Sequence, residues 1–349
     1  MKSIPFCRIK KKSLTLSYVL CPEDLAETLK EIRYKKLYQC ILKEDISLSS
    51  FFELKSLFTG KNNSVICLDK LRKNQIISGD NSNLISIWDL QNGICVKTYT
   101  NTIGRLTCFS SLSKRLLATG NSFNMIQIWD LESDKVLRNL TGHNYLITCI
   151  IRLSNSQIAS GSYDFSIKIW DYIETGNCLI TINHLLCKIQ GLIKVNSTQI
   201  VSAGISNIYN NKTIKTIKLW DFVNGDCLKF FKGDNAQVYG ITKINKTQFA
   251  SIGLAKKEIL LWEFSEYKRT RTKMLKGHNN YVHSVVKLSK TKIASACSDS
   301  IKIWDLRYGN CIKTIGTITI EWNLTKINNF QFATAGGNFK DTINFWDFK

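Results

Sequence analysis

A tryptophan followed by an acidic residue returns seven times along this chain, and that period limits the fold more than any other feature. The pairs are Trp88-Asp89, Trp129-Asp130, Trp170-Asp171, Trp220-Asp221, Trp262-Glu263, Trp304-Asp305 and Trp346-Asp347. The Trp residues stand 41, 41, 50, 42, 42 and 42 residues apart, and only Trp322 lies outside the series. Such a period means one supersecondary unit repeated, each unit too thin to bury both of its faces without a neighbour.

The third unit shows the content of a repeat. Leu146 to Leu153 is apolar and β-branched, Asn155-Ser156 is turn chemistry, and Ile158 to Ser160 is a second strand. After a turn from Gly161 to Phe165, the stretch Ser166–Trp170 alternates, with Ile167 and Ile169 on one face and Ser166, Lys168 and Trp170 on the other. Glu174 to Asn177 turns again, and Cys178 to Ile182 closes the unit. Four short strands with regular turns predict an all-β chain.

Gly142-His143, Ser160, Asp164 and Trp170-Asp171 resemble the signature of the WD-repeat family. The resemblance implies a buried hydrogen-bonded set of His143, Ser160, Asp164 and Trp170. A buried indole N–H and imidazole need partners, and a satisfied network fixes one packing. The sixth unit keeps Gly277-His278, Ser295, Asp299 and Trp304, with its turn one residue shorter. Other units depart: Lys61 and Asp234 stand where the His would be, Ser82 and Phe123 where the Asp would be. The resemblance covers roughly residues 53–349.

Seven units predict a closed seven-bladed β-propeller of four-stranded antiparallel blades. The last unit lacks its outer strand, because Lys349 follows closely on Trp346. A spare strand precedes the first unit: Glu53 to Gly60 aligns with Val136 to Gly142 and Arg271 to Gly277. Pairing of residues 53–59 with the Trp346 strand would remove the open edges of a linear stack. The expected domains are therefore an appendage at 1–52 and a propeller at 53–349.

The appendage carries a basic cluster, Arg8 to Lys12, before the apolar stretch Leu14 to Leu20. Leu20-Cys21-Pro22 offers no small-residue cleavage site, so a secretory signal is not expected. The stretch is also too short to span a bilayer. A short helix is expected over about 22–45, with Pro22 in its first turn and Glu23 and Asp24 at the positive end of its dipole. The long step before Trp220 holds one insertion, within Ile205–Thr216 between the second and third strands.

Twelve cysteines are distributed by register and not as a disulfide framework. Cys67, Cys108 and Cys149 share one position of the first strand, which holds Gly191, Gly240 and Ser284 in later units. Cys95, Cys178, Cys227 and Cys311 share a position in the outer strand, where they are expected to act as small buried hydrophobes. Unpaired thiols suit a reducing compartment, so a cytoplasmic or nuclear location is expected. No Cys-x-x-Cys pair occurs and no His has zinc-ligand spacing, so no metal or other cofactor is expected.

The formal charge is +21. A field of that size favours acidic partners, nucleic acid or anionic surfaces. Yet 38 of the 48 basic residues are Lys and only ten are Arg, the bidentate reader of phosphate. The lysines are scattered along the sequence, and the Phe-Arg-Arg-Gly motif of phosphoinositide-binding propellers is absent. A solvated surface is the preferred reading, and nucleic acid is not the favoured partner. No catalytic constellation is present: His143 and His278 belong to the buried sets, His184 to the matching loop of the fourth unit, and His283 to a first strand. An enzyme and a small-molecule substrate are therefore not expected, although fold alone does not decide function.

What remains is surface. The position before each first strand rims one mouth of a propeller channel, and register places Arg105, Lys188 and Tyr281 there, with Phe123 and Tyr163 in adjacent turns. Exposed aromatics and Arg are enriched at protein-binding hot spots. Separately, Trp304-Asp305-Leu306-Arg307 resembles the Trp-Asp-x-Arg box of substrate receptors in cullin-RING ubiquitin ligases, which implies an adaptor contact for Arg307. The sequence thus points to a non-catalytic scaffold or adaptor holding one or more partner proteins on the upper face. The alternatives are a ligase substrate receptor and a basic propeller that binds RNA or anionic surfaces.

Overall fold

The computed structural model describes residues 52–59, 64–100, 103–184, 187–206, 216–231, 238–253, 257–264, 271–317, 321–336 and 342–348. The helix expected over 22–45 lies outside them, as do Lys61, Asp234 and most of the Asn-rich insertion. The chain divides into residues 1–51 and 52–349, and the second unit carries all the described strands. Among the described residues there is no helix. None is therefore long and apolar enough to cross a membrane.

The 28 strands form seven antiparallel sheets of four. Six sheets run in chain order from inner to outer strand. The seventh joins the two ends of the propeller, because Phe52–Thr59 pairs with Thr342–Phe348, with Leu54 opposite Trp346 and Thr59 opposite Thr342. The inner strands are Val65–Arg72, Leu106–Ser111, Ile147–Arg152, Cys187–Lys194, Val238–Lys243, Val282–Lys287 and Glu321–Lys326. Each touches the next, and the last touches the first, so the ring is closed. Closure removes the unpaired edges that would template association.

The strand sequences explain this layering. Second and third strands lie between two neighbouring blades and are apolar on both faces: Ile76, Ile77, Ile158, Ala159, Ile167 and Ile169 are all buried. Outer strands alternate, as in Asn310–Gly316, since one face meets water. Seven core clusters each join residues of adjacent blades. Antiparallel order then defines two faces. The upper face carries the turns between second and third strands and the crossings to the next blade. The lower face carries the other two sets of turns.

Every inner strand has one register shift near its upper end, at Ile66, Thr107, Thr148, Gln190, Tyr239, His283 and Trp322. A bulge of this kind re-aims one residue and bends the strand. Trp322, outside the tryptophan series, is thereby placed at the bulge position of the seventh blade.

Just past the bulge the inner edge is crowded, and paired residues compensate in volume. Cys67, Cys108 and Cys149 face Gly79, Gly120 and Gly161 across the strands. Where the first partner is Gly191 or Gly240, the second is Ala203 or Ile252. A Cβ on Gly161 would stand 2.8 Å from Cys149 Sγ and 2.9 Å from Ile189 Cβ. Burial pushes the Cys149 thiol up to about 12 and the Cys187 thiol up to about 11. These thiols are small packing groups, not nucleophiles. The outer-strand cysteines differ from expectation: Cys178, Cys227 and Cys311 are half-buried and Cys95 is exposed, because their strand faces water.

Candidate functional site

Seven buried indoles anchor the blades, and each donates its N–H to a hydroxyl on the neighbouring second strand. Trp88, Trp170, Trp220, Trp262 and Trp304 reach Ser78, Ser160, Ser202, Ser251 and Ser295 at 2.7–2.8 Å. Trp129 and Trp346 reach Thr119 and Thr334 at 3.0 Å.

Among the described residues, blades three and six build further on this base with a histidine and an aspartate. In the third, His143 Nε2 lies 2.7 Å from Ser160 Oγ and His143 Nδ1 lies 2.7 Å from Asp164 Oδ2. Trp170 can only donate, so the directions follow. The indole donates to Ser160, Ser160 donates to His143 Nε2, and His143 Nδ1–H donates to Asp164. The backbone N–H of Asn144 and the hydroxyl of Ser166 also donate to Asp164, at 2.9 and 2.6 Å. Burial by itself would raise this carboxyl, but the donors from His143, Ser166 and Asn144 outweigh it and hold the pKa below the ordinary range. Gly142 precedes the histidine with φ +144°, and a Cβ there would meet the Trp170 ring at 3.3 Å.

The sixth blade has the same residue types in a different arrangement. His278 Nε2 lies 2.6 Å from Ser295 Oγ, and Trp304 donates to the same oxygen. His278 Nδ1 meets the Cys297 sulfur at 3.1 Å, and that thiol donates to Asp299 Oδ1 at 3.0 Å. The expected direct His–Asp link is thus replaced by a thiol relay, because the turn after Cys297 is one residue shorter. Burial first, and then the Lys302 charge, lower the His278 pKa to about 4.

Blades four, one and two show how the motif decays. His184 sits over Trp220 with ring centroids 5.7 Å apart, yet neither of its ring nitrogens has a partner among the described residues. Burial and then Lys218 lower its pKa to about 3. In blades one and two the acidic turn position holds Ser82 and Phe123, and a residue two positions earlier closes the turn instead. Asp80 Oδ1 accepts the N–H groups of Ser82 and Leu84, both at 2.9 Å. Asn121 Oδ1 accepts those of Phe123 and Met125 at 3.0 and 3.1 Å. This substitution was readable in the sequence as Asp80 and Asn121 standing in the Ser162 register.

The geometry matches one known pattern. The family model for the WD domain, G-beta repeat (WD40) matches residues 134–171 and 269–305, the two blades that carry the glycine-histidine pair. The chain is a WD-repeat β-propeller. No curated protein matches the chain. WD-repeat propellers generally serve as interaction scaffolds, so the surface positions matter most.

The upper-face residues fall into two neighbourhoods and one outlier. Arg105 is exposed and Phe123 is 67 % exposed; they share the second blade, where Ser122 N–H donates to Arg105 O at 2.8 Å. Tyr163 is half-buried at the junction of blades three and four. Its hydroxyl accepts the Gln190 amide at 2.6 Å, and Lys188 Nζ lies 4.9 Å from its ring centroid. Tyr281 is exposed on the sixth blade. Two exposed tyrosines that sequence reasoning missed, Tyr145 and Tyr239, lie on the upper side of blades three and five. Tyr239 occupies the bulge register, a signal visible only once the bulge is known.

Arg307 lies on the lower face, in the turn after the third strand of blade six. Its guanidinium donates from Nε and Nη2 to both oxygens of Asp305, at 3.2 and 2.7 Å, while its side chain stays 59 % exposed. The Arg307 bonds hold the Asp305 carboxyl down to about 2. Tyr308 packs beneath the guanidinium at 5.4 Å. Among the described residues no group of three or more His, Cys, Asp or Glu could hold a metal ion.

Proposed function

We propose that this propeller is a non-catalytic scaffold that holds partner proteins on its upper face, with residues 1–52 as a separate helical appendage. The observation that carries the reading is the exposure of Arg105 and Phe123 together on the second blade, with a Tyr163–Lys188–Gln190 group on the same face at the junction of blades three and four. Large aromatic surface and a guanidinium, already ordered by backbone ladders, are the chemistry of a protein hot spot. The buried sets of blades three and six serve this function by stiffening the blades that present Tyr163 and Tyr281. Free thiols on buried strands suit a cytoplasmic or nuclear scaffold.

The test is affinity capture of the intact protein from its own cells at near-physiological salt, with and without nuclease. Proteins that survive nuclease, and that are lost on Arg105→Ala with Phe123→Ala or Tyr163→Ala while the melting temperature holds, support the reading. Unchanged capture by those variants rejects the site. Partners that vanish with nuclease would make RNA the ligand instead.

A second reading is favoured by one observation, the exposed Arg307–Tyr308 pair locked onto Asp305. It is a ligase substrate receptor with Arg307 as adaptor contact. Loss of a captured ligase adaptor on Arg307→Ala would establish it, and an unaffected adaptor would end it.

A further inference from the structure

The charge that looks scattered in the sequence is not scattered in space. The position five residues beyond the ladder pair just above the bulge is Lys70, Arg152, Lys194, Lys243, Lys287 or Lys326 in six of the seven blades. Ser111 fills the position in the second blade. Basic residues make up 48 of 349, about one in seven, so composition alone would place about one in this ring. The inner strands close on one another, so their lower ends encircle the lower mouth of the channel.

The five lysines form an unbroken arc through blades four, five, six, seven and one, and all are half-buried. Three reach back to the preceding blade: Lys70 donates to Ile327 O, Lys194 to Leu153 O and Lys243 to Val195 O. Lys326 donates to Asn329 Oδ1 at 3.1 Å. Arg152 turns to Ser154 O and Asn155 Oδ1 in its own turn. All these acceptors are neutral and leave the lysine and arginine charges unpaired by them. Among the described residues no carboxylate pairs with any of the six.

The acidic residues after each Trp end the third strands, two strands outward. At the usual strand spacing that is about 10 Å, a distance across which salt screens much of their field. Asp69 is the nearest carboxylate in sequence, and it is occupied by the N–H groups of Lys70 and Ser111, at 2.7 and 3.0 Å. The cations feel one another. Burial, then Lys287 and Lys194, lower the Lys243 pKa, and burial, then Lys287 and Lys70, lower that of Lys326. Holding like charges together costs stability, and an anion seated among them would return it.

We propose that the lower mouth of the channel binds a compact anion bearing several phosphate groups, gripped by Lys70, Lys194, Lys243, Lys287 and Lys326. An arc of lysine point charges running through five of the seven blades suits a ligand on the axis. An extended nucleic-acid strand wants a groove with interleaved aromatics, and the seven lower turns nearest the axis offer a single exposed one, Phe330. This site is independent of the upper-face scaffold, so either can fail alone.

The experiment is calorimetric titration of the full chain with inorganic tripolyphosphate and with phytate, alongside sulfate and a single-stranded oligouridylate. The ring variant is Lys243→Gln/Lys287→Gln/Lys326→Gln. The charge-matched control is Lys135→Gln/Lys257→Gln/Lys276→Gln, all exposed positions away from the mouth. Saturable binding with one site is expected for tripolyphosphate, phytate or both, the stronger of the two identifying a linear or a cyclic source. Affinity should fall at least about tenfold in the ring variant and by less than about twofold in the control. No saturable binding to the wild type, equal loss in both variants, or equal affinity for oligouridylate would each overturn the proposal. Should the ring variant not fold, lysine acetylation of the wild type decides. Tripolyphosphate or phytate must protect Lys243 and Lys326 but not Lys135, and absence of that protection overturns the site.

Discussion

Blades three and six carry the same four residue types and connect them differently. In both, one serine oxygen receives the indole N–H and faces the histidine Nε2. In the third, the histidine then meets its aspartate directly at 2.7 Å. In the sixth, a turn shorter by one residue leaves Asp299 beyond reach, and Cys297 relays the contact. The serine hub depends on strand register, which is rigid. The outer link depends on turn length, which is not. A motif written as residue types therefore determines the hub and leaves the last bond to the loop.

The difference can be broken or sharpened by measurement. The largest effect expected is in acid. His278 has its folded pKa at about 4, below the ordinary value of 6.5. Between those values the unfolded chain binds a proton that the folded chain does not, so stability falls as pH falls, by about 3 kcal/mol over the full window. His278→Gln should lose that part of the slope in urea unfolding between pH 6.5 and 4.5. An unchanged slope would mean the sixth-blade histidine is not shielded. His184, also lowered, adds a loss of the same sign in both proteins. Asp164 acts with the same sign in a lower pH window. Its depressed carboxyl contributes stability above the unfolded pKa near 3.9, lost only as pH falls toward the lower folded value.

Next come the hubs. Ser160→Ala and Ser295→Ala should each cost about 2 kcal/mol, since each strands a buried indole N–H and an imidazole nitrogen. Equality of the two losses is the expected result, and a twofold disparity would show that the blades differ at the hub as well. The aspartates should then separate the blades. Asp164→Asn is expected to cost about 2 kcal/mol, because it weakens a charged acceptor of several donors, whereas Asp299→Asn should cost about 1 kcal/mol. Equal losses would show that the thiol relay carries as much as the direct bond. The smallest effect is expected for Cys297→Ser, below about 0.5 kcal/mol, since the hydroxyl can make the same two contacts, as Ser162 stands in that register in blade three. A large loss there would mean that the sulfur is needed for its size.

Much of this architecture was legible because it repeats. Seven tryptophans at a near-constant step, together with the alternation of Ser166–Trp170, imply strands, blade number and register. The alignment of Glu53–Gly60 with later outer strands anticipates the pairing seen between Phe52–Thr59 and Thr342–Phe348. The histidine sets were legible as composition but not as wiring, as Cys297 shows. The upper-face residues were found by register, yet register could not say that Tyr163 would be half-buried against Gln190 and Lys188, while Phe123 stands free. The lysine ring was open to the same reasoning. Its lysines from Lys194 to Lys326 lie about forty to fifty residues apart in the chain, so they stand out only when the same position is compared across the repeats.

By itself the sequence determined what repetition and local chemistry can encode: strand period, turn residues, a Trp and a hydroxyl in matching registers, and small residues where strands crowd. These follow from the two-residue period of a strand and from the need to satisfy a buried donor. Only the tertiary structure decided what happens between blades. Residues dozens of positions apart in the chain, Lys194 and Lys243 among them, become neighbours when the ring closes, and their charges then add. Which histidine reaches which carboxylate was settled there too, because a shift of one residue in a turn moves an acceptor by more than the length of a hydrogen bond.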